Sequence, residues 1–269
     1  MLQITYIMKN IFKTSILIIA AATWSCSSQK SESPEQILAQ EPRWPAILDE
    51  AFAAHGGIEK WQSFETLEYD VPKEDGPEHH VIDLKNRKVL ISSNEFKIGY
   101  DGNEVWVTPD SAAFGGNARF YHNLYFYFFS LPYLAADPGI NYDDQGTVAV
   151  NGTEYQKVLM TFEANTGDAP EDKYVLYFND KNILEIINYS VTYYDKSRAD
   201  RFNAIRYEDW KPVNGLLLPG KLVGYVWQGD SLADKRYERT FENAVLSTQK
   251  KSAPFFSIPE NAYISPKPE

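Results

Sequence analysis

The chain changes its hydrophobic period near residue 65. Before that point, in Pro45 to Trp61 (PAILDEAFAAHGGIEKW), Ile47, Leu48, Ala51, Phe52 and His55 fall on one helical face. Pro45 near the start and Gly56-Gly57 as a stop complete the pattern of an amphipathic helix. From Glu65 onwards the period is two. Phe96, Ile98 and Tyr100 alternate with Lys97, Gly99 and Asp101, and Asp101-Gly102-Asn103 turns the chain back into Glu104 to Thr108. Asp-Gly supplies positive φ readily, so this reads as a hairpin. Thr147 to Val150 turns at Asn151-Gly152 into Tyr155 to Glu163, and Tyr174 to Phe178 turns at residues 179–182 into Ile183 to Tyr194. In that last strand Ile187, Tyr189, Val191 and Tyr193 alternate with Asn188, Ser190 and Thr192, predicting one packed and one wet face. Asn203 to Trp210, Leu216 to Trp227 and Arg236 to Ser247 complete the series. No helix long enough for a parallel crossover separates these strands, so an antiparallel meander that curls is expected.

Asn117 to Ala136 (NARFYHNLYFYFFSLPYLAA) breaks this alternation, being apolar on every side, with His122, Asn123 and Ser130 among its polar positions. A helix hydrophobic all round is buried, or lines or covers a cavity. Gly115-Gly116 and Pro132 give it hinges and a kink. A strand over Tyr125 to Phe129 is the alternative.

Composition supports a mainly β fold of one large domain. The 269 residues include 18 Tyr, 15 Phe and 6 Trp, and aromatics suit half-buried pleated surfaces. The net charge is −11, and Lys9 and Lys13 are the charged residues of the first 25, so the remainder carries −13. This disfavours nucleic acid and anionic surfaces as partners, and is the ordinary acidity of a soluble exported domain.

The N-terminus is read as a leader. From Met8, Lys9 and Lys13 precede the short apolar core Ser15 to Ala22, which ends at Thr23-Trp24-Ser25-Cys26. That core is far shorter than the ~20 residues of a spanning helix, so it reads as a cleaved signal. Cys26 is the single cysteine of the chain. Its surroundings resemble the lipobox of bacterial lipoproteins, which implies cleavage before Cys26 and acylation of it; several acyl chains anchor a protein effectively permanently. Ser27 to Pro42 reads as a polar tether. The expected organisation is a signal peptide over 1–25, lipidated Cys26 and tether over 26–43, and a single domain over 44–265.

Five groups of residues, in order, resemble the lipoprotein-sorting carrier and receptor fold of Gram-negative envelopes. They are Ala54-His55-Gly56-Gly57 with Trp61; Tyr100-Asp101-Gly102 before Val105-Trp106; Tyr177-Phe178-Asn179; Asp209-Trp210 before Asn214-Gly215 and Leu218-Pro219; and Phe256-Ser257-Ile258-Pro259. Phe120 to Asp143 is similar to a related family of envelope lipoproteins of unknown function. The resemblance spans Ile47 to Tyr263. It implies a strongly curved antiparallel sheet forming a half-open barrel, with the N-terminal helix and an aromatic-rich lid helix on its concave side and an apolar cavity between, which in sorting proteins holds acyl chains.

Other constellations point to structure rather than chemistry. His79-His80 on a strand would face opposite ways and cannot share an ion. His55 and His122 are isolated, and read as capping or satisfied buried histidines. Asp143-Asp144 and Glu171-Asp172 lie in turn-like segments, where solvated turns explain them better than a calcium site. The nucleophile-elbow, zinc-protease, phosphate-loop and dinucleotide motifs are missing from the sequence, so no metal, cofactor or catalytic residue is expected. The expected role is a non-catalytic, membrane-anchored lipoprotein, in the outer membrane on its periplasmic or surface side, binding an acyl-chain-like ligand. The expected ligand wall is Phe120, Tyr121, Leu124, Tyr125 and Phe128 from the aromatic segment, faced by Trp106, Tyr189, Tyr193, Tyr225 and Trp227. The alternatives are a structural lipoprotein with a filled core, a glycan binder using exposed aromatics, and, with least support, an envelope hydrolase.

Overall fold

The computed structural model describes residues 43–267 apart from Asn165. The leader, Cys26 and the tether to Pro42 lie outside the described residues. Helices α1 (Ala46–Ala54) and α2 (Ile58–Gln62) open the fold, followed by β1 (Thr66–Val71), β2 (Glu78–Asp83), β3 (Val89–Ser92), β4 (Lys97–Tyr100) and β5 (Val105–Thr108). Next come α3 (Ala118–Leu134), β6 (Ile140–Val150), β7 (Thr153–Phe162), β8 (Tyr174–Phe178), β9 (Leu184–Tyr189) and β10 (Asn203–Glu208). The chain ends with β11 (Lys211–Val213), β12 (Leu216–Leu218), β13 (Lys221–Trp227), β14 (Leu232–Thr240), β15 (Glu242–Ser247) and β16 (Tyr263–Ser265).

The protein is mainly β, with two antiparallel sheets and a few helices. One sheet has the order β15-β1-β2-β3-β4-β5-β16 and the other β14-β13-β10-β9-β8-β7-β6, while β11 and β12 form a small ribbon. The expected meander is there, but not as one continuous sheet. Arg236 to Ser247, read as one strand, divides at Phe241: β14 pairs with β13, and β15 with β1. Phe241 is 3% exposed, its N–H donates to Gly220 O at 2.9 Å, and its ring packs on Phe129 with centroids 4.6 Å apart. A residue turned inward at a bend leaves the ladder on either side, so the strand changes sheet there.

Local signals placed most elements. At the Asp101-Gly102 turn the Asp101 carboxylate accepts from the N–H groups of Asn103 and Glu104, and Gly102 takes φ 104°. Asn117 caps α3 by accepting from Phe120 N, so Tyr125 to Phe129 is helix and not strand. Leu216 to Trp227 breaks at Pro219-Gly220, because proline has no N–H for a central ladder.

Two readings need correction. Asp143-Asp144 sits within β6 rather than a turn, beside a bulge before Thr147. Local hydrogen bonds to the side chains of both residues gave the turn-like pattern. The face of Asn188, Ser190 and Thr192 is buried rather than wet, at 2%, 0% and 2% exposure. Tyr177 Oη donates to Asn188 Oδ1, Lys173 N to Ser190 Oγ, and Thr192 Oγ1 to Asp172. Paired this way, polar side chains tolerate burial, and β8 is buried on both faces.

The central core includes Leu48 and Phe52 of α1, Tyr69 of β1, Phe129 and Tyr133 of α3, Leu176 of β8 and Ile205 of β10. A smaller cluster of Val150, Tyr155, Val175, Tyr177 and Ile186 covers the outer face of the second sheet. Among the described residues no helix is long and apolar enough to cross a membrane.

Candidate functional site

Helix α3 organises the site because its opposite stripes meet different surroundings. At a spacing of four residues, Phe120, Leu124 and Phe128 line a cavity of about 440 Å³. Phe162 of β7, Tyr174 of β8 and Tyr189 of β9 form the facing wall. Phe128 packs against Tyr189 with centroids 4.7 Å apart and Tyr174 against Tyr189 at 6.3 Å, so the wall is a continuous aromatic surface. At the outer end the Phe120 ring lies 5.3 Å from both Tyr193 and Tyr194, the latter 61% exposed. The volume lies within the range of about 300–1,000 Å³ usual for small-molecule sites.

Charged groups line the same cavity. Arg119 Nη2 donates to Asp168 Oδ1 at 2.9 Å, and Arg87 Nη2 donates to both oxygens of Asp137 at 2.8 and 2.7 Å. Burial pushes the Asp137 carboxyl up despite Arg87, and pushes Asp172 up although Thr192 donates two hydrogen bonds to it. Burial also pulls the His122 imidazole down to about 4. It is neutral near pH 7, with its Nδ1 against Arg119 O. The Tyr127 hydroxyl is buried without a hydrogen-bond partner.

Of the ten expected wall residues, Phe120, Leu124, Phe128, Tyr189 and Tyr193 line this cavity. The other five are placed elsewhere. Tyr121 and Tyr125 point to the opposite flank of α3, where Tyr121 Oη donates to Glu78 Oε2 at 2.6 Å and Lys73 Nζ donates to Tyr121 Oη at 3.0 Å. Burial pushes Glu78 up, but His80, Tyr121 and Lys73 together hold it below the ordinary carboxylate range. Tyr125 lies between the cations of Lys73 and Arg239, 5.2 and 5.9 Å from its ring.

Trp106, Tyr225 and Trp227 sit on outer sheet faces. Trp106 is 2% exposed, but its neighbours Val105 and Val107 are the β5 residues that join the central core. Tyr225 pairs with Ala204, whereas the adjacent Gly224–Ile205 pair is the one that faces inward. Trp227 packs on Tyr177 in the outer cluster. Period two alone says which residues share a face, not which face meets the cavity.

The histidines occupy the positions expected of them. His79 and His80 face opposite ways: His79 pairs with Asp70 at 2.7 Å, and His80 is 1% exposed and stacked on Tyr69. His55 is buried and satisfied, its ring bonded to Ala51 O at 2.7 Å. Sequence reasoning missed Arg119 and Tyr127. For Arg119 the signal was present, since it is the one Lys, Arg, Asp or Glu in Asn117 to Ala136. For Tyr127 nothing separated it from the neighbouring aromatics.

No family model matches the sequence, and no curated protein matches it. In structure the chain is similar to the LolA superfamily, to DUF1329 family proteins and to a lipoprotein-sorting domain. A LolA superfamily protein from Nitrosomonas europaea is 12% identical with a TM-score of 0.47, the match covering 79% of this chain and 96% of that one. A DUF1329 family protein from Desulfovibrio piger is 11% identical with a TM-score of 0.47, over 79% and 96%. An outer membrane lipoprotein-sorting protein domain from Vibrio parahaemolyticus is 10% identical with a TM-score of 0.40, over 78% and 94%.

Proposed function

We propose that this protein is a non-catalytic envelope lipoprotein, anchored through acylated Cys26, whose domain over 44–265 binds an acyl-chain-like ligand. In this reading the two sheets act together as a half-open barrel, with α3 against the concave side. The observation that carries it is the division of labour along α3: Phe129 and Leu131 fill the core, both at 0% exposure, while Phe120, Leu124 and Phe128 line the aromatic-walled cavity. A helix that served packing alone would not leave one stripe against about 440 Å³ of space. The expected setting is the outer membrane, on its periplasmic or surface side, with the tether from Ser27 to Pro42 holding the domain at the bilayer.

Two measurements test this. Mass spectrometry of the purified protein is expected to find co-purifying lipid, and the delipidated protein to take up a fluorescent fatty acid; neither result appearing would refute ligand binding. Labelled palmitate is expected to enter the wild type and not Cys26→Ser, and equal labelling of both would refute the anchor. A second reading, a structural lipoprotein with a filled core, is favoured by the dense packing of Tyr69, Phe129 and Phe241 behind α3. It expects Phe128→Ala to lower stability by a few kcal/mol without any change in ligand uptake.

A further inference from the structure

We propose that Arg119 forms an anion-recognising subsite in the cavity, receiving the carboxylate or phosphate head of an amphiphile whose apolar body lies along Phe128 and Tyr189. This rests on the ligand-binding reading above and narrows it to anion-headed amphiphiles. The Arg119 side chain is 7% exposed and lines the cavity. Its Nη2 donates to Asp168 Oδ1 and its Nε lies 2.8 Å from Asp168 Oδ2, while Nη1 is buried with no hydrogen-bond partner. The charge of Arg119 is paired with Asp168, but a buried N–H donor left without an acceptor is costly, and such groups find a partner or mark a binding site.

The rest of the lining shows which partner is missing. Asp137 takes both bonds from Arg87, Asp168 is held by Arg119, and Asp172 accepts from Thr192 N and Oγ1 at 2.6 and 2.7 Å. Among the described residues that line the cavity, the buried side-chain atoms without a hydrogen-bond partner belong to Arg119 and to the hydroxyl of Tyr127, and both can donate. What the cavity lacks is therefore an acceptor. A cationic head would compete with Arg119 for Asp168, whereas an anionic oxygen completes Arg119. The positive end of the α3 dipole lies in the same turn, since α3 starts at Ala118, and it favours negative charge there. Eight residues further along the helix, about 12 Å at its usual rise, Tyr127 offers a second donor to an oxygen in the body of the ligand.

The test compares hexadecanoate, hexadecyl phosphate and methyl hexadecanoate by displacement of a fluorescent fatty acid from the delipidated protein. Either anionic probe is expected to bind about ten- to a hundredfold tighter than the ester, and the tighter of the two identifies the head. Arg119→Gln is expected to erase that preference while leaving ester affinity in place. Asp168→Asn, at a side chain 34% exposed, frees Arg119 and is expected to tighten hexadecanoate binding several-fold with no change for the ester. A purely structural ion pair would not make the two substitutions act in opposite directions. The proposal is overturned if the ester equals both anions on the wild type, or if Asp168→Asn weakens hexadecanoate. Failure of all three probes to bind would instead strike down the ligand-binding reading itself.

Discussion

The hydroxyl of Tyr133 lies 2.8 Å from the carbonyl oxygen of His55 and 2.7 Å from that of Leu217, tying the last turn of α3 to the end of α1 and to β12. Leu217 N donates to the same His55 carbonyl at 2.8 Å, and the Tyr133 ring stacks on Trp61 with 8° between planes. One side chain therefore joins three elements that are distant in sequence. Tyr133→Phe keeps the stacking and removes the hydroxyl that makes both contacts. The expected loss is about 1–3 kcal/mol, read as a lower urea midpoint at unchanged slope.

Adjacent residues of α3 separate packing from binding. Phe129 is 0% exposed, against Tyr69 and Phe241, so Phe129→Ala is expected to cost about 3–5 kcal/mol while the folded fraction binds a fluorescent fatty acid normally. Phe128→Ala alters the cavity wall and is expected to change that affinity several-fold. Equal effects on binding from both substitutions would count against the cavity as the ligand site.

Close approach fixes Gly99. A Cβ placed there would lie 2.2 Å from the Trp106 ring. Gly99→Ala is expected to cost about 1–3 kcal/mol, seen as a lower thermal midpoint, and Trp106→Leu in the same chain to restore most of it.

Stability should depend on acid through His55. Burial pulls its imidazole from 6.5 down to about 4, partly opposed by the Ala51 carbonyl. Below its ordinary pKa the unfolded chain takes up a proton that the folded chain refuses. The contribution is therefore fully present above pH 6.5 and is lost as pH falls towards about 4, amounting to roughly 3 kcal/mol. Urea unfolding at several pH values across that window, in the wild type and His55→Gln, checks this. Parallel curves for the two would show that His55 does not carry the effect.

The sequence by itself determined what neighbouring residues decide together. Pro45 and Gly56-Gly57 bound α1, Asn117 starts α3, and Asp101-Gly102 makes its hairpin, because caps and turns are satisfied by atoms a few residues away. Five of the residues expected to form a ligand wall, Phe120, Leu124, Phe128, Tyr189 and Tyr193, line one cavity, and that same periodicity set them on shared faces. Tertiary structure alone decided which face of each element looks inward. Trp106, Tyr225 and Trp227 share their strands with core residues yet lie on the outer faces, and buried Asn188 and Ser190 take the place of an expected wet face. The pairing of β1 with β15 and of Arg119 with Asp168 joins residues far apart in the chain. Such contacts depend on how whole faces pack, and a one-residue change of register would reverse them without altering the local pattern.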